Sequence, residues 1–278
     1  MIQRNVRSRS KVSQSGWKYA AIIIFTGFLI LVIAEVMYFT GLRSLLNVLT
    51  TTLSPVIAFL LGIIGLNFFG RESLVKEDRF HAMNVWMALG LIVFSLAETA
   101  GVLIRYSGMP IEICFTVGLV QMPALLLWGL GVVGYLRSSN SALRVITGNR
   151  IGSILVMIVA LAGLGMTVII SVIKPAQNLL ITFVSVPMVV GLGATLFILG
   201  GLVWILREGL IARPLILMFL GVLMLFIRSI FWAFIQYCPG SPFDYMTVIE
   251  GYVLVGAALA VASKLDTVDL ADEDEYEE

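Results

Sequence analysis

Five polar side chains fall at one depth within otherwise apolar stretches of this 278-residue chain: Glu35, Glu98, Gln121, Arg228 and Glu250. Counted from the inner boundary of its own stretch, Glu98 is fourteen residues from Asn84, Arg228 fourteen from Pro214 and Glu250 fourteen from Lys264. Gln121 is sixteen from Arg137, and Glu35 is seventeen from Lys18. At helical rise these spacings amount to roughly 21–25 Å. A charge inside hydrocarbon costs about 2.5–3.5 kcal/mol on insertion scales, so each of these groups needs a partner or a watery cavity. Three acids and one arginine at a shared level can form a cluster in the outer half of a membrane, with Arg228 paired to Glu98 or Glu250. Three kinds of chemistry fit. The groups can fasten helices together, at about 0.6 kcal/mol per bond on average. They can line a pocket for a small-molecule ligand or ion entering from the outer side. They can relay protons, a reading weakened by the lack of carboxylates in the inner half. Pro123, two residues past Gln121, frees a backbone carbonyl and bends its helix near this level, which favours a cavity.

Other signals carry less. Cys114 and Cys238 sit near the outer ends of two stretches at similar height, and an oxidising exterior could join them as a disulfide; two buried free thiols are the alternative. Gly129, Gly131 and Gly134 spell a dinucleotide fingerprint, but they lie inside an apolar stretch with no preceding strand, where close helix packing explains them. His81 is the only histidine, so neither a bis-histidine haem nor a typical zinc site is expected, and no metal or other cofactor is assigned. No lysine lies in the last two apolar stretches to form a retinal Schiff base, and no Ser, His and Asp set can be assembled. The expectation is a protein without enzymatic activity.

The elements that must position these groups follow from composition. Hydrophobic residues make up 59% of the chain and charged residues 13%, about half the charge of a soluble domain. Apolar runs near Trp17–Thr40, Leu53–Phe69, Ala82–Tyr106, Ile111–Leu136, Ile151–Ile173, Leu179–Leu206, Pro214–Tyr237 and Tyr245–Ser263 are each long enough to span hydrocarbon. The first is too long for a cleaved signal peptide and is read as a retained helix. The sequence therefore predicts an all-α integral membrane protein with about eight transmembrane helices, and the cell membrane is its expected location.

Charge placement predicts the orientation. With the N terminus inside, the inner segments collect fourteen Lys and Arg residues and the outer ones only Arg43, Arg105 and Lys174, which puts both termini in the cytoplasm. Arg4, Arg7, Arg9, Lys11 and Lys18 precede or open the first run with no acid among them, and eight acids crowd the segment from Asp266 to Glu278. These tails read as solvated ends, and the basic inner loops and the acidic tail are the expected docking surfaces for a cytoplasmic or membrane protein partner. Nucleic acid is not an expected partner, because bases beside a membrane helix are explained as a topology signal; membrane lipid is an expected one.

The chain also reads as two copies of one unit. Met87-Ala88-Leu89-Gly90 recurs as Met218-Phe219-Leu220-Gly221, Pro55 matches Pro187, and Gly118 matches Gly251, at offsets of 131, 132 and 133. The organisation expected is a basic tail over 1–17, a four-helix repeat over 18–136, a linker over 137–150, a second repeat over 151–264 and an acidic tail over 265–278. An even unit gives parallel repeats about an axis along the membrane normal.

With Trp86, Ala88-Leu89-Gly90, Leu96-Ala97-Glu98, Gly101 and the exit at Gly108-Met109-Pro110, the stretch 79–135 resembles the helical unit of polytopic input domains that precede histidine kinases and diguanylate cyclases in archaea and bacteria. The stretch 227–263, with Pro239-Gly240-Ser241, Asp244 and Gly251-Tyr252, is similar to a second copy. No output domain follows Lys264, so the resemblance implies a sensor or receptor module that signals through a separate partner. A fainter likeness is to the fungal lipid-translocating exporter family, through Glu98-Thr99-Ala100-Gly101-Val102-Leu103-Ile104-Arg105 and Arg228-Ser229-Ile230-Phe231. It implies a carrier for lipids or small amphiphiles with Glu98, Arg105 and Arg228 at its charged positions, although Trp232 and Gln236 stand where that family has further charges. A structural subunit of a membrane complex is the third reading.

Overall fold

Hydrocarbon offers no hydrogen-bond partner to a peptide group, so an apolar chain of this kind must satisfy its backbone within helices. A computed structural model describes residues 2–69, 79–108, 116–143, 165, 169, 179–207, 209–234, 242–263 and 265. Side chains are described from Gly16 onward, except Arg105 and those near several helix ends. Seven helices account for most of these residues: α1 (Ile2–Phe39), α2 (Arg43–Phe69), α3 (Arg79–Tyr106), α4 (Thr116–Leu143), α5 (Leu179–Ile205), α6 (Ala212–Phe234) and α7 (Pro242–Ala262). The expected fifth run, Ile151–Ile173, lies outside the described residues apart from 165 and 169, as do Cys114, Cys238 and most of the acidic tail.

Two helices exceed their predicted bounds by ten residues or more. α1 continues through the basic tail to Ile2, which has no proline and no glycine before Gly16 to stop it. α2 starts at Arg43 rather than Leu53. The polar residues that delimit the apolar run do not break the helix, because Thr50 and Thr52 donate their hydroxyls to the Leu46 and Val48 carbonyls at 2.8 and 2.6 Å. A threonine that bonds its own preceding turn hides its polarity inside the helix.

Six of the helices are long and apolar enough to cross a membrane, while the described apolar part of α7, Met246–Ala262, is shorter. Large apolar side chains face outward around the bundle, including Phe25, Leu103, Leu126, Phe197 and Trp204, the last 71% exposed. In water such a belt would be a liability. Against lipid tails it is the expected surface, and the chain is a multi-pass helical membrane protein.

Helices α2 to α7 form a ring in which each packs on the next and α7 returns to α2, while α1 stands outside the ring against α7. Side-chain pairs fix the directions. Gly62 and Gly65 of α2 pack on Ile92 and Ala88 of α3, and Gly90 and Gly131 pair α3 with α4 through Trp128 and Trp86. Gly193 and Gly200 meet Phe226 and Phe219 of α6, and Gly221 and Gly251 bring α6 and α7 together. All four pairs are antiparallel. In contrast, Gly65 touches Leu259 and Gly256 touches Leu61, so α2 and α7 run in the same direction. It follows that α4 and α5, which touch through Leu125 and Gly191, are also parallel. Ala20 of α1 packs on Ala257 and Val261, which sets the start of α1 and the end of α7 at one face. Lys18, Arg79, Arg137, Arg207 and Arg213 lie toward that face, called here the basic face.

Inside the ring the packing is continuous. Met87, Leu91, Trp128, Leu199, Leu202, Met218 and Val222 are fully buried in one cluster. Since lipid is as apolar as leucine, close van der Waals fit rather than water exclusion holds such helices together. The tightest approach of backbone to backbone is at Gly221, where a Cβ would stand 2.7 Å from the Gly251 carbonyl oxygen and 3.0 Å from the Val255 nitrogen. Backbone cannot yield there. At Gly256 the nearest obstacle is the end of the Leu61 side chain, which can rotate. Gly221→Ala is therefore expected to destabilise the protein by about 1–3 kcal/mol. Gly256→Ala should cost far less, because improved helix propensity offsets the crowding. Thermal unfolding in detergent compares them, and equal shifts would refute this account of the α6–α7 seam.

Candidate functional site

Helix α3 carries Phe94 and Glu98 one turn apart on the face turned into the ring. Its partners are set by the neighbouring helices. Ser95 donates its hydroxyl to the Pro55 carbonyl of α2 at 2.7 Å, in the stretch where Pro55 interrupts the α2 ladder. One residue before that proline, Ser54 is buried and donates to Glu98 Oε2. On α7, Tyr252 is 1% exposed and donates its hydroxyl to Glu98 Oε1 at 2.6 Å. Each oxygen of one carboxyl group thus accepts a hydroxyl from a different helix. Among hydrogen bonds, those to a carboxylate are the short, strong kind, and this one ties α2, α3 and α7 at a single level. Glu98 is nineteen residues from Arg79, roughly 28 Å along α3 from its basic-face end.

Aromatic rings extend the contact toward α4. Phe94 packs on Tyr252 at 6.1 Å between centroids and edge-on against Trp128 at 5.0 Å. Trp128 in turn donates its indole N–H to the Met87 carbonyl at 2.9 Å. Offset and edge-to-face pairs of this kind hold ring orientations. A continuous line of fixed side chains runs from Trp128 through Phe94 and Tyr252 to Glu98 and Ser54.

The other four predicted residues occupy distinct positions, and Glu35 lies eight residues beyond Gly27, the α1 residue level with Glu250. Glu250 is on α7, two residues from Tyr252, and residues so spaced face different sides of a helix. It turns to α1, where a Cβ on Gly27 would come within 3.3 Å of its Oε1. That oxygen is buried with no hydrogen-bond partner among the described residues. The two glutamates accordingly flank α7 on different sides rather than sharing one hollow. Glu35, half-buried on α1, follows Ala34, which is 1% exposed. Gln121 is buried on α4, on the stripe that continues through Leu125 and Trp128. Arg228, half-buried on α6, continues the stripe of Gly221 and Leu225 that packs on α7 at Gly251.

No family model, curated protein or solved structure matches this chain. The reading of the site therefore stands on its geometry. Sequence reasoning missed Ser54 as a partner because a serine before an intrahelical proline reads as helix chemistry. It named Tyr252 only within a resemblance motif; a signal did exist, since a lone tyrosine in the apolar run after Glu250 needs a partner for its hydroxyl.

Proposed function

We propose that this chain is a sensor-like membrane module without enzymatic activity, binding a small polar ligand from the outer side around Glu98 and transmitting the event through helix packing to a cytoplasmic or membrane protein partner. The observation that carries this reading is the Glu98 carboxyl held by Ser54 and Tyr252 above an inner half filled by fully buried Met87, Leu91, Met218 and Val222. A polar centre that joins three helices above a solid floor suits binding and signalling better than passage. α1 supplies a movable element: it stands outside the ring, packs on α7 through Gly27 against Val253 and Ala20 against Ala257 and Val261, and covers the unsatisfied Glu250 oxygen. A ligand that donates to either glutamate would bias the packing between two arrangements.

The expected topology is part of the proposal: eight spans, both termini cytoplasmic, in the cell membrane, built as two parallel four-helix repeats. Support comes from α4 and α5, which run in the same direction, so the chain between Leu143 and Leu179 has to return from one face to the other. The repeat is supported by the ring itself. Rotation by three positions carries α2, α3 and α4 onto α5, α6 and α7. Leu61 of α2 packs on Gly256 of α7, and the equivalent seam pairs Gly191 of α5 with Leu125 of α4, at offsets of 130 and 131 residues in sequence. The resemblance to input domains of signalling proteins points the same way.

The test is a thermal-shift screen of cationic, anionic and neutral small molecules on the purified protein, repeated with Glu98→Gln and Tyr252→Phe. Molecules that stabilise the protein should bind about tenfold more weakly to both variants, the equivalent of one lost hydrogen bond. Stabilisers that act equally on all three proteins would overturn the pocket. Parallel halves also occur in carriers, which favours a lipid or amphiphile carrier as the second reading. Flux in proteoliposomes that disappears in Arg228→Ala would establish that reading in place of the first.

A further inference from the structure

The antiparallel pair α3–α4 stays in close contact from Gly90 and Trp128 to Trp86 and Gly131, and Phe80 still reaches Tyr135 at 5.4 Å. Beside this contact, at Gly134, one side of the seam is open. A Cβ on Gly134 would meet nothing within 4 Å, and a cavity of about 580 Å³ lies here, lined by Arg79, Gly134, Arg137 and Ser138. That volume falls within the usual range for small-molecule sites. Among the described residues its lining holds two guanidinium groups and one hydroxyl. Both arginines are exposed and sit at the same level, the first residue of α3 facing the last turns of α4. Arginine forks match the oxygens of a phosphate, and two of them converging on one cavity specify an anion of that class.

The cavity's position says where the anion comes from. It lies at the basic face, at the edge of the spans Arg79–Ile104 and Val120–Ser139. Directly above it toward the membrane interior, the outward surface of the same two helices is apolar: Trp86, Leu130 and Val133 are all exposed there. A soluble phosphate would use only the polar end. An amphiphile uses both, with its headgroup between the arginines and its chains along the tryptophan and leucine. Basic pockets between transmembrane helices at the cytoplasmic side hold anionic headgroups in this manner.

We infer that the cleft between the basic-face ends of α3 and α4 is a binding site for the phosphate headgroup of an anionic phospholipid, gripped by Arg79 and Arg137 with its acyl chains along Trp86 and Leu130. The site is independent of the Glu98 centre, which lies higher in the membrane.

Native mass spectrometry of the full chain in detergent, titrated with phosphatidylglycerol or phosphatidylcholine, tests the assignment. Phosphatidylglycerol should bind the wild type and an Arg207→Ala/Arg213→Ala control alike, and roughly thirtyfold more weakly an Arg79→Ala/Arg137→Ala protein. Gly134→Leu provides a second test that keeps both arginines. Its side chain enters open space, so the protein should fold as before while the cleft fills and lipid retention falls. Equal retention by all variants, or equal binding of phosphatidylcholine, would overturn the site. Inorganic phosphate that stabilises the lipid-free protein as strongly as phosphatidylglycerol, with the same dependence on Arg79 and Arg137, would overturn the lipid assignment and identify a soluble phosphate as the ligand.

Discussion

Gly90→Ala should destabilise the protein by about 3 kcal/mol, a large loss for the addition of one methyl group. A Cβ at this position would stand 2.1 Å from Trp128 Nε1 and 2.2 Å from its Cδ1. Neither ring nor helix can yield cheaply. The indole is fully buried, its N–H is bound to the Met87 carbonyl on the same turn of α3, and Phe94 lies edge-on against it. Simple overpacking costs about 1–3 kcal/mol, and expelling a buried tryptophan approaches the 3–5 kcal/mol of its truncation. The gain in helix propensity from glycine to alanine returns only about 1 kcal/mol. Trp128→Leu should rescue part of the loss, so the double variant would be more stable than the sum of the two single changes. Strict additivity in thermal unfolding would mean that Trp128 does not occupy the notch that Gly90 leaves.

The contact also explains what the matching sequence motifs could and could not convey. Met87 and Met218 are both fully buried, and Gly90 and Gly221 both sit where a helix comes too close for a side chain. Both motifs therefore lie at close helix contacts. They did not reveal what fills each notch, since one holds an indole and the other a backbone carbonyl.

The membrane-spanning helical character was legible for a similar reason. Hydrocarbon imposes length and forbids unpaired backbone, and both constraints act on a single helix at a time. The positions of Glu98, Gln121 and Arg228 along their own helices followed from counting residues. Which way each side chain turns did not, because that depends on rotation about the helix axis and on the neighbours it finds. Glu98 and Glu250 illustrate the difference: similar heights, but one facing Ser54 and Tyr252 and the other facing Gly27. Basic charges gave a third kind of information. Arg79 and Arg137 were readable as topology signals, yet their convergence on one cleft needed the register of α3 against α4.

Glu98→Leu should lower stability by about 2–4 kcal/mol, and the loss should come chiefly from the groups left behind. Removing the carboxyl strips the acceptor from two buried hydroxyls, Ser54 and Tyr252. An orphaned buried donor costs about 1–3 kcal/mol. Ser54 can fall back on the carbonyl one turn earlier in α2, as Thr50 and Thr52 do, so Tyr252 bears the larger share. Replacing the whole set should therefore be milder than breaking it. The triple variant Ser54→Ala/Glu98→Leu/Tyr252→Phe is expected to be more stable than Glu98→Leu alone, since an apolar substitute for a buried polar group is tolerated when its partners go with it. Glu98→Gln, which keeps an acceptor oxygen, should fall between Glu98→Leu and the wild type. Unfolding measurements on these proteins separate two accounts of the site. If Glu98 were a solvated surface carboxylate, all of them would unfold together; if it is the joint of α2, α3 and α7, their order is wild type, Gln, then Leu, with the triple variant above Leu.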